Sequence, residues 1–308
     1  MKIYRGLDRL PYLPSVITSG TFDGVHLGHK AIFDTVCRIA SERSLRSLVV
    51  TFHPHPRIVL QKNPETLTLL NSLKERMIRI GKSGVQALCI VEFTPSFSLL
   101  EPDEYLRLLK EKAGLQYLVV GYDHHFGRER RGSPAAIQPL CKDWGIGFEQ
   151  VDPVEWNGVQ ISSTKIRQAL REGRVADANT MLGYTYSLEA VVVKGDGLGR
   201  QLGFPTANLR PRDPLKLVPV HGIYAAEIVL DNRLYYGMAY VGERPTLEKS
   251  GRQVEVHIFD FNQSIYGKKL TLRFVDYLRA DSRFPSLDHL AQALQEDART
   301  ARRRLGLK

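Results

Sequence analysis

The two halves of this chain carry different hydrophobic patterns, and this difference constrains the fold more than any other feature of the sequence. In the first half, short and nearly continuous apolar runs alternate with helical patterns. The runs lie at 16–19, 47–52, 87–93, 117–121 and 147–151, and the helical patterns at about 30–41, 72–82, 102–113 and 134–144. Continuous runs are typical of strands buried on both faces, and their alternation with helices predicts an α/β domain with a doubly wound parallel sheet.

The pattern changes near Gly183. A short helical pattern at 175–182 ends at this residue, and glycine is common just past a helix C-terminus. Runs of β type follow at 187–194, 222–230, 234–241, 253–259 and 270–278, and an amphipathic helical pattern covers about 286–305. Short strands at this spacing predict a small antiparallel β-barrel with a C-terminal helix. We therefore expect two domains, 1–183 and 184–308.

Composition argues against several classes of protein. No apolar run approaches the ~18 residues of a membrane-spanning helix, and no signal-peptide pattern follows Met1. The three cysteines are far apart and form no CxxC pair, which favours a reducing cytoplasm over a disulfide framework or zinc knuckle. The net charge is +10, but the one dense basic cluster lies at a helix end without interleaved aromatic residues. We therefore expect no membrane and no nucleic-acid partner.

The first apolar run leads into a glycine-rich stretch with two histidines, residues 20–29, Gly-Thr-Phe-Asp-Gly-Val-His-Leu-Gly-His. Unpaired N–H groups at a helix N-terminus attract phosphate, and glycines let the backbone approach a ligand closely. His26 and His29 are three residues apart at the helix start, so both imidazoles face one side. The stretch predicts a nucleotide-phosphate site, although a capped turn with surface histidines fits the same pattern.

Polar or unusual residues also follow other strands of the first half, and ligands of such sheets bind beyond the carboxyl ends of the strands. These residues are Thr51-Phe52-His53-Pro54-His55-Pro56, Phe93-Thr94-Pro95 and Gly121-Tyr122-Asp123-His124-His125. A further helix opens near Ser163, a good N-cap, with Arg167 one turn later. This helix start could be a second phosphate site or a capped surface helix.

Two stretches resemble known nucleotide-binding motifs, but each lacks a residue or an element that its motif requires. Residues 81–83, Gly-Lys-Ser, resemble the end of a P-loop, but Arg76 stands where that motif needs glycine. Residues 195–199 resemble a dinucleotide-binding turn, but Pro205 prevents the helix that should follow. The histidine pairs at 53/55 and 124/125 lack the further ligands of a metal site.

In the second half, four stretches stand out in order: 197–208, Gly-Leu-Gly-Arg-Gln-Leu-Gly-Phe-Pro-Thr-Ala-Asn; 222–224, Gly-Ile-Tyr; 242–246, Gly-Glu-Arg-Pro-Thr; and 255–261, Glu-Val-His-Ile-Phe-Asp-Phe. Together with 20–29, 51–56, 121–132 and 162–167, they resemble the prokaryotic bifunctional riboflavin kinase/FAD synthetase family over essentially the whole chain. The resemblance implies a Rossmann-like HxGH nucleotidyltransferase domain followed by a riboflavin kinase barrel. Family members often differ at Thr21, His124 and Tyr240.

For the first half, the resemblance implies transfer of AMP from ATP to the phosphate of FMN, giving FAD and diphosphate. His26 and His29 would stabilise the charge that develops on the phosphate. FMN already carries an anionic nucleophile, so no strong base is required. The implied nucleotide-binding residues are Gly20, Phe22, Asp23, Gly24, Gly28, Asp123, Arg128, Ser163, Thr164 and Arg167.

For the second half, the resemblance implies transfer of the γ-phosphate of ATP to riboflavin, giving FMN and ADP. Glu255 is the implied general base, because the nucleophile is a neutral hydroxyl. Thr206 and Asn208 would bind the Mg²⁺ that accompanies ATP. The implied ATP-binding residues are Gly195, Gly197, Gly199, Arg200, Gly203 and Pro205, and the implied flavin-binding residues are Arg244, Thr246 and Arg279.

Two alternatives stay open from the sequence. Only the riboflavin kinase half could be active, or the chain could be a flavin-binding regulator without turnover. The set of His26, His29, Thr206, Asn208 and Glu255 favours catalysis, because a binding protein needs no general base. The sequence does not predict an oligomeric state.

Overall fold

A computed structural model describes residues 1–60, 67–128, 131–195, 199, 202–243 and 252–307. Contacts divide the chain into two compact units, Met1–Ser163 and Thr164–Lys308. The predicted domain boundary between residues 183 and 184 stays a prediction.

The first unit contains a parallel sheet with helices in the connections. Its strands are β1 (Lys2–Arg5), β2 (Ser15–Ser19), β3 (Arg46–His53), β4 (Ala87–Glu92), β5 (Leu115–Gly121), β6 (Gly147–Val151) and the short antiparallel pair β7 (Glu155–Trp156) and β8 (Val159–Gln160). Its helices are α1 (Leu27–Glu42), α2 (Pro56–Leu60), α3 (Leu73–Gly81), α4 (Pro102–Ala113) and α5 (Pro134–Asp143). The predicted strands and helices of this half are confirmed, whereas β1, α2, β7 and β8 were not predicted.

The order of the strands puts the topological switch point of the sheet beside the glycine-rich stretch. The six-stranded sheet has the order β1-β4-β3-β2-β5-β6, and its strands pair in parallel. The chain winds outward in one direction from β2 to β3 and β4, and in the other through β5 and β6. Ligands of doubly wound sheets bind at this switch point, outside the carboxyl ends of the strands. Here those ends belong to β2 and β5.

Helices cover both faces of this sheet. On one face, Phe33 of α1 is fully buried and packs in a cluster with Val49 of β3. On the other, Leu106 and Leu109 of α4 pack in a cluster with Leu48. Adjacent residues of β3 therefore point into different cores, which explains why this strand reads as a continuous apolar run.

The second unit is a closed barrel with helices beside it. After α6 (Ser163–Arg171) and α7 (Val175–Leu182) come β9 (Ser187–Val193), β10 (Ala207–Pro211), β11 (Gly222–Leu230), β12 (Arg233–Glu243), β13 (Arg252–Ile258), β14 (Lys269–Arg279) and α8 (Leu287–Arg304). The strands close in the order β10-β13-β12-β11-β14-β9, all pairs being antiparallel. The predicted barrel and final helix are confirmed, and β10 was not predicted as a strand.

Local contacts explain how the helices of this unit join the barrel. Gly183 ends α7 in the left-handed conformation, as predicted. The side chain of Asn179 accepts a hydrogen bond from the Tyr186 N–H at 2.7 Å and donates to the Phe274 carbonyl at 2.9 Å. On α8, Ala301 is buried in a cluster with Ile223 and Ala225 of β11. These contacts anchor both helices to the outside of the barrel.

Two expectations from composition concern the whole chain. In the part of the chain that the structure describes, no helix has the length and hydrophobicity needed to cross a membrane. Cys37, Cys89 and Cys141 are free thiols, and the last two are buried as small core residues.

Candidate active sites

The glycine-rich stretch after β2 forms a tightly held turn. Phe22, Gly24 and Val25 have φ values of 47°, 87° and 40°. The left-handed region costs roughly 1–2 kcal/mol for a residue with a Cβ, and such strain concentrates at functional sites. The carboxylate of Asp23 holds the turn by accepting the backbone N–H groups of Leu70 and Asn71, each at 3.0 Å.

A buried arginine, Arg76 of α3, also holds the turn. Its Nη1 donates to the Thr21 carbonyl, and its Nη2 donates to the Phe52 carbonyl at 2.9 Å. Arg76 thereby joins the turn after β2 to the end of β3 at the carboxyl edge of the sheet. No sequence pattern indicates a role for Arg76, because its two acceptors are backbone atoms that only the fold brings near it.

His26 and His29 meet at the start of α1. His26 is the N-cap, and its Nδ1 accepts the backbone N–H of His29 at 3.4 Å. The two rings are stacked, with centroids 3.6 Å apart and planes 21° apart. The predicted convergence of both imidazoles at a helix N-terminus is confirmed in geometry. This arrangement concentrates hydrogen-bond donors and a partial positive charge, which suits a phosphate.

The charge of His29 is set by its surroundings. Burial, the neighbouring His26 and the Arg76 guanidinium lower the pKa of His29 well below its ordinary value. A histidine with a lowered pKa is neutral at pH 7 and offers one N–H as a donor. The Arg76 guanidinium is a positive charge near His29.

An aromatic cluster lies at the carboxyl ends of the neighbouring strands. It comprises Phe52 at the end of β3, Phe93 and Phe97 after β4, Tyr105 of α4 and Phe126 after β5, with contacting ring centroids 5.1–5.7 Å apart along the cluster. Phe93, Phe97 and Phe126 are partly exposed. Tyr105 Oη lies 2.6 Å from Ser19 Oγ at the end of β2, which links the cluster to the strand that precedes the histidines.

The second unit holds a separate group of polar side chains on β10, on β13 and just before β10. Asn208 and Glu255 are directly opposite each other in the antiparallel register. Thr206 Oγ1 donates to Glu255 Oε2 at 2.8 Å. Gln253 Nε2 donates to Glu255 Oε1 and lies 3.4 Å from Asn208 Oδ1. The barrel therefore brings three of the predicted kinase residues together, and it adds Gln253.

This group has the chemistry of a Mg²⁺ site. A hydroxyl, an amide oxygen and a carboxylate are hard oxygen ligands, and Mg²⁺ in nucleotide sites is held by few protein ligands plus phosphates and water. Among the described residues, no cluster of three or more His, Cys, Asp or Glu side chains could form an all-protein metal cage. Gly195 leaves room beside the group, since a Cβ there would overlap the Asn208 amide. The residues present fit a metal that arrives with ATP.

Comparisons with known proteins match both units. Family models match residues 12–165 as FAD synthetase and residues 182–305 as riboflavin kinase. The chain is 34% identical to the Escherichia coli K12 bifunctional riboflavin kinase/FMN adenylyltransferase over 314 aligned residues, covering 100% of this chain and 99% of that protein. It belongs to the bifunctional riboflavin kinase/FMN adenylyltransferase family. The resemblance seen in the sequence is thereby confirmed.

Other relatives of this family agree. The Bacillus subtilis protein of the same name is 34% identical, with 93% of this chain and 91% of that protein covered. The Pseudomonas fluorescens protein is 35% identical, with 98% and 97% covered. A crystal structure described as a macrolide-efflux protein from Streptococcus pneumoniae is 29% identical, with a TM-score of 0.90 over 98% of this chain and 99% of that chain. Its likeness supports the same fold for the whole chain.

The remaining nucleotide-binding candidates of the FAD synthetase half are placed as follows. Asp123 and Arg128 are exposed after β5, and Arg128 forms an ion pair with Glu101 at 3.7 Å. Ser163 is the first residue of α6, so the prediction that it caps this helix is wrong. Its hydroxyl instead donates to the Asp23 carbonyl at 2.7 Å, which brings Ser163 to the turn. In the second unit, Thr164 is exposed and Arg167 is buried.

Glycines of the turn have distinct surroundings. A Cβ at Gly20 would lie 3.0 Å from the Phe22 ring, and one at Gly28 would lie 3.2 Å from the His26 ring. Both positions therefore need a small residue if the aromatic and histidine rings are to keep their places. Gly24 has a φ of 87°, a conformation that glycine adopts without the cost that a Cβ adds.

The remaining kinase candidates are also placed. The Pro205 carbonyl accepts a hydrogen bond from His257 Nδ1 at 2.9 Å, Gly203 has a φ of 80°, and a Cβ at Gly199 would overlap the Phe204 carbonyl. Arg279 forms a two-pronged ion pair with Asp297 of α8, at 2.8 and 2.7 Å. Four predicted site residues, Gly197, Arg200, Arg244 and Thr246, lie outside the described residues.

Tyr240 lies opposite Glu255 in the register of β12 and β13. Its hydroxyl donates to Asp281 Oδ2 at 2.8 Å. Burial, together with Asp281 and Glu255, raises the pKa of Tyr240, so the phenol stays protonated. Tyr240 therefore presents a neutral side chain next to the catalytic candidate.

Proposed function

We propose that the protein makes FMN from riboflavin and ATP at the Glu255 group, and FAD from FMN and ATP at the His26–His29 turn. The observation that carries the proposal is that each matched domain contains its own group of side chains suited to phosphate chemistry. In the first it is the pair of stacked imidazoles at a helix N-terminus, and in the second the hydrogen-bonded Thr206–Glu255 pair opposite Asn208.

In the adenylyl transfer, an oxygen of the FMN phosphate attacks the α-phosphorus of ATP, and diphosphate leaves. The chain supplies charge stabilisation, because phosphoryl-type transfer needs little covalent help from protein. His26, His29 and the N–H groups that start α1 donate to the α-phosphate as negative charge develops. Ser163, Thr164 and Arg167 bind the β- and γ-phosphates in this proposal. Asp123 and Arg128 complete the nucleotide site.

The aromatic cluster after β3, β4 and β5 is the proposed surface for the flavin ring. A flat, weakly polar ring system packs favourably against aromatic side chains in edge or offset arrangements. Phe93, Phe97 and Phe126 are partly exposed and are available for this contact. The cluster adjoins β2 through Tyr105 and Ser19, so flavin and nucleotide would meet at one edge of the sheet.

In the kinase reaction, the 5′-hydroxyl oxygen of riboflavin attacks the γ-phosphorus of ATP, and ADP leaves. Glu255 accepts the hydroxyl proton, because a carboxylate within reach of the nucleophile acts as a general base. When bound with ATP, Mg²⁺ neutralises charge on the phosphates. Thr206 and Asn208 supply oxygen ligands to it. Gly195, Gly197, Gly199, Arg200, Gly203 and Pro205 bind ATP, and Arg244, Thr246 and Arg279 bind the flavin in this proposal.

We further propose that both reactions take place in the cytoplasm, where free thiols such as Cys37 persist, and that ATP, riboflavin, FMN and FAD are the partners. No nucleic acid or membrane has a part in this proposal.

The test is direct. The purified full chain is incubated with riboflavin, ATP and MgCl₂, and FMN and FAD are separated by chromatography; FMN and ATP are supplied in a second reaction. We expect both products, and a chelator should stop both reactions. Formation of FMN from riboflavin, with no FAD formed in either reaction, would support a kinase-only enzyme. Flavin binding without any product would support a regulator.

A further inference from the structure

Gln253 lies on the same side of β13 as Glu255. Along this strand, Val254 and Val256 are buried, whereas Gln253 and Glu255 are partly exposed. Because side chains alternate across a strand, residues two apart share a face. Gln253 therefore adjoins both the proposed general base and Asn208, which faces Glu255 from β10.

The chemistry of the neighbours fixes the direction of each hydrogen bond. An ionised carboxylate only accepts, so the Gln253 group that meets Glu255 Oε1 must be the amide NH₂. The same nitrogen lies 3.4 Å from Asn208 and can only donate, so Asn208 must turn its oxygen toward it. The Asn208 nitrogen then faces Gly195, where a Cβ would overlap it.

We propose that Gln253 is a positioning residue for the kinase reaction, which sets the amide orientation of Asn208 and holds the carboxylate of Glu255. The inference rests on the proposed function of the barrel. Asn208 has two orientations that differ by half a turn of its amide, and only one presents oxygen to a metal. Gln253 selects that orientation, and with Thr206 it supplies one donor to each carboxylate oxygen of Glu255.

Removal of the amide should therefore weaken metal binding and catalysis together. In Gln253→Met, a side chain of similar length lacks the donor, and the Asn208 amide is free to turn its nitrogen toward the metal. Because a hydrogen bond to a charged group contributes enough to change a rate roughly tenfold, we expect kcat for FMN formation to fall about tenfold. The KM for riboflavin should change less than about twofold, since Gln253 is not proposed to contact the flavin.

Gln263→Met is the matched control, because Gln263 is exposed and lies outside β13. It should leave both activities at the wild-type level. A second variant, Gln253→Glu, keeps the size of the side chain but has no donor and places a carboxylate beside Glu255. A role in packing alone would tolerate this change, whereas positioning by donation predicts a loss at least as large as in Gln253→Met.

Metal binding gives a readout apart from turnover. Mn²⁺ is titrated into each full-length protein with ADP present, and bound metal is followed by electron paramagnetic resonance. We expect both Gln253 variants to bind Mn²⁺ several-fold more weakly than wild type and Gln263→Met, and to form FAD from supplied FMN at the wild-type rate.

The possible results distinguish failure of the inference about Gln253 from failure of the proposed kinase function. If wild type forms FMN, and Gln253→Glu has the kcat and the Mn²⁺ affinity of wild type, the inference about Gln253 is overturned and the proposed kinase function is not. Equal loss of FAD formation in the Gln253 variants also overturns it, because the damage would then be general. A wild-type chain that forms no FMN overturns the proposed kinase function and the inference with it.

Discussion

The environment of His29 makes the stability of the folded protein depend on the protonation of this residue. Its folded-state pKa is lowered, first by burial and then by His26 and Arg76, below the ordinary value near 6.5. Between these two values the unfolded chain binds more protons than the folded chain. The favourable contribution of neutral His29 is therefore fully present above about pH 6.5 and is lost as the pH falls.

We expect the stability difference between wild type and His29→Gln to shrink in acid. Glutamine cannot be protonated, so the variant lacks this proton linkage, and the difference should change by at most about 1.4 kcal/mol per pH unit below pH 6.5. Both tryptophans, Trp144 and Trp156, lie in the first unit, so their fluorescence reports its unfolding. His289→Gln, at an exposed position of α8, is the control. A difference that stays constant from pH 8 to pH 5.5 would contradict the prediction.

Glu255 carries the sharpest prediction for a single residue. Glu255→Gln keeps the size of the side chain but cannot accept the riboflavin proton. FMN formation should fall by about 10²–10⁴-fold, the usual contribution of a general base. FAD formation from supplied FMN should be unchanged, because that reaction belongs to the other matched domain.

The control for this substitution is Glu227→Gln, on β11. Glu227 forms an ion pair with Arg273 at 3.1 Å, and it has no place in the proposed chemistry. It should leave FMN formation near the wild-type rate. Loss of both activities in Glu255→Gln would argue against separate sites.

At the scale of the element, the segment just after β9 packs closely against a side chain of β10. A Cβ at Gly195 would overlap the side-chain amide of Asn208. Gly195→Ala should therefore displace Asn208 and lower the kcat of FMN formation while sparing FAD formation from FMN. Gly81→Ala is the matched control, since its Cβ would meet only the flexible side chain of Met1, with Cε at 3.4 Å and Sδ at 4.0 Å. Wild-type kinase rates in Gly195→Ala would show that the Asn208 position is not needed.

The sequence predicts those elements whose burial is regular along the chain. Strands such as β3 are buried on both faces, and β13 alternates buried and partly exposed residues, so their hydrophobic patterns are clear. In β1 three of four residues are exposed at the edge of the sheet, which leaves no apolar run. In β10 only Asn208 and Leu209 are buried, and the strand ends at Pro211. Its sequence therefore shows neither a continuous apolar run nor an alternation of apolar and polar residues.

The same distinction applies to the sites. His26 and His29 are three residues apart, so helix geometry alone predicts that they meet. Thr206 and Glu255 are 49 residues apart, and their contact depends on the register of two strands that periodicity does not supply; only the family resemblance joined them. Arg76 is 55 residues from the Thr21 carbonyl that it binds, and no local pattern indicates that pairing.

At the scale of the whole molecule, each unit has its own core and its own proposed site. The first has the sheet with its covering helices, and the second has the closed barrel. The product of the second is the substrate of the first. Inactivation of the kinase site should therefore leave the adenylyl-transfer site able to work on any FMN that reaches it, and inactivation of the adenylyl-transfer site should leave the kinase site able to make FMN from riboflavin.

This reasoning predicts that two inactive chains together make FAD. Full-length Glu255→Gln lacks the kinase base, and full-length His29→Gln lacks a donor to the α-phosphate, whose loss should slow adenylyl transfer by about 10²-fold or more. Alone, with riboflavin and ATP, the first should form neither product, and the second should accumulate FMN. An equal mixture should form FAD after a lag, because FMN made by one chain must diffuse to the other. The lag should shorten as the concentration of Glu255→Gln rises. If FMN accumulates in the mixture and FAD does not follow, although Glu255→Gln converts added FMN, then the FMN stays bound to the chain that made it, and the two sites do not exchange FMN through solution.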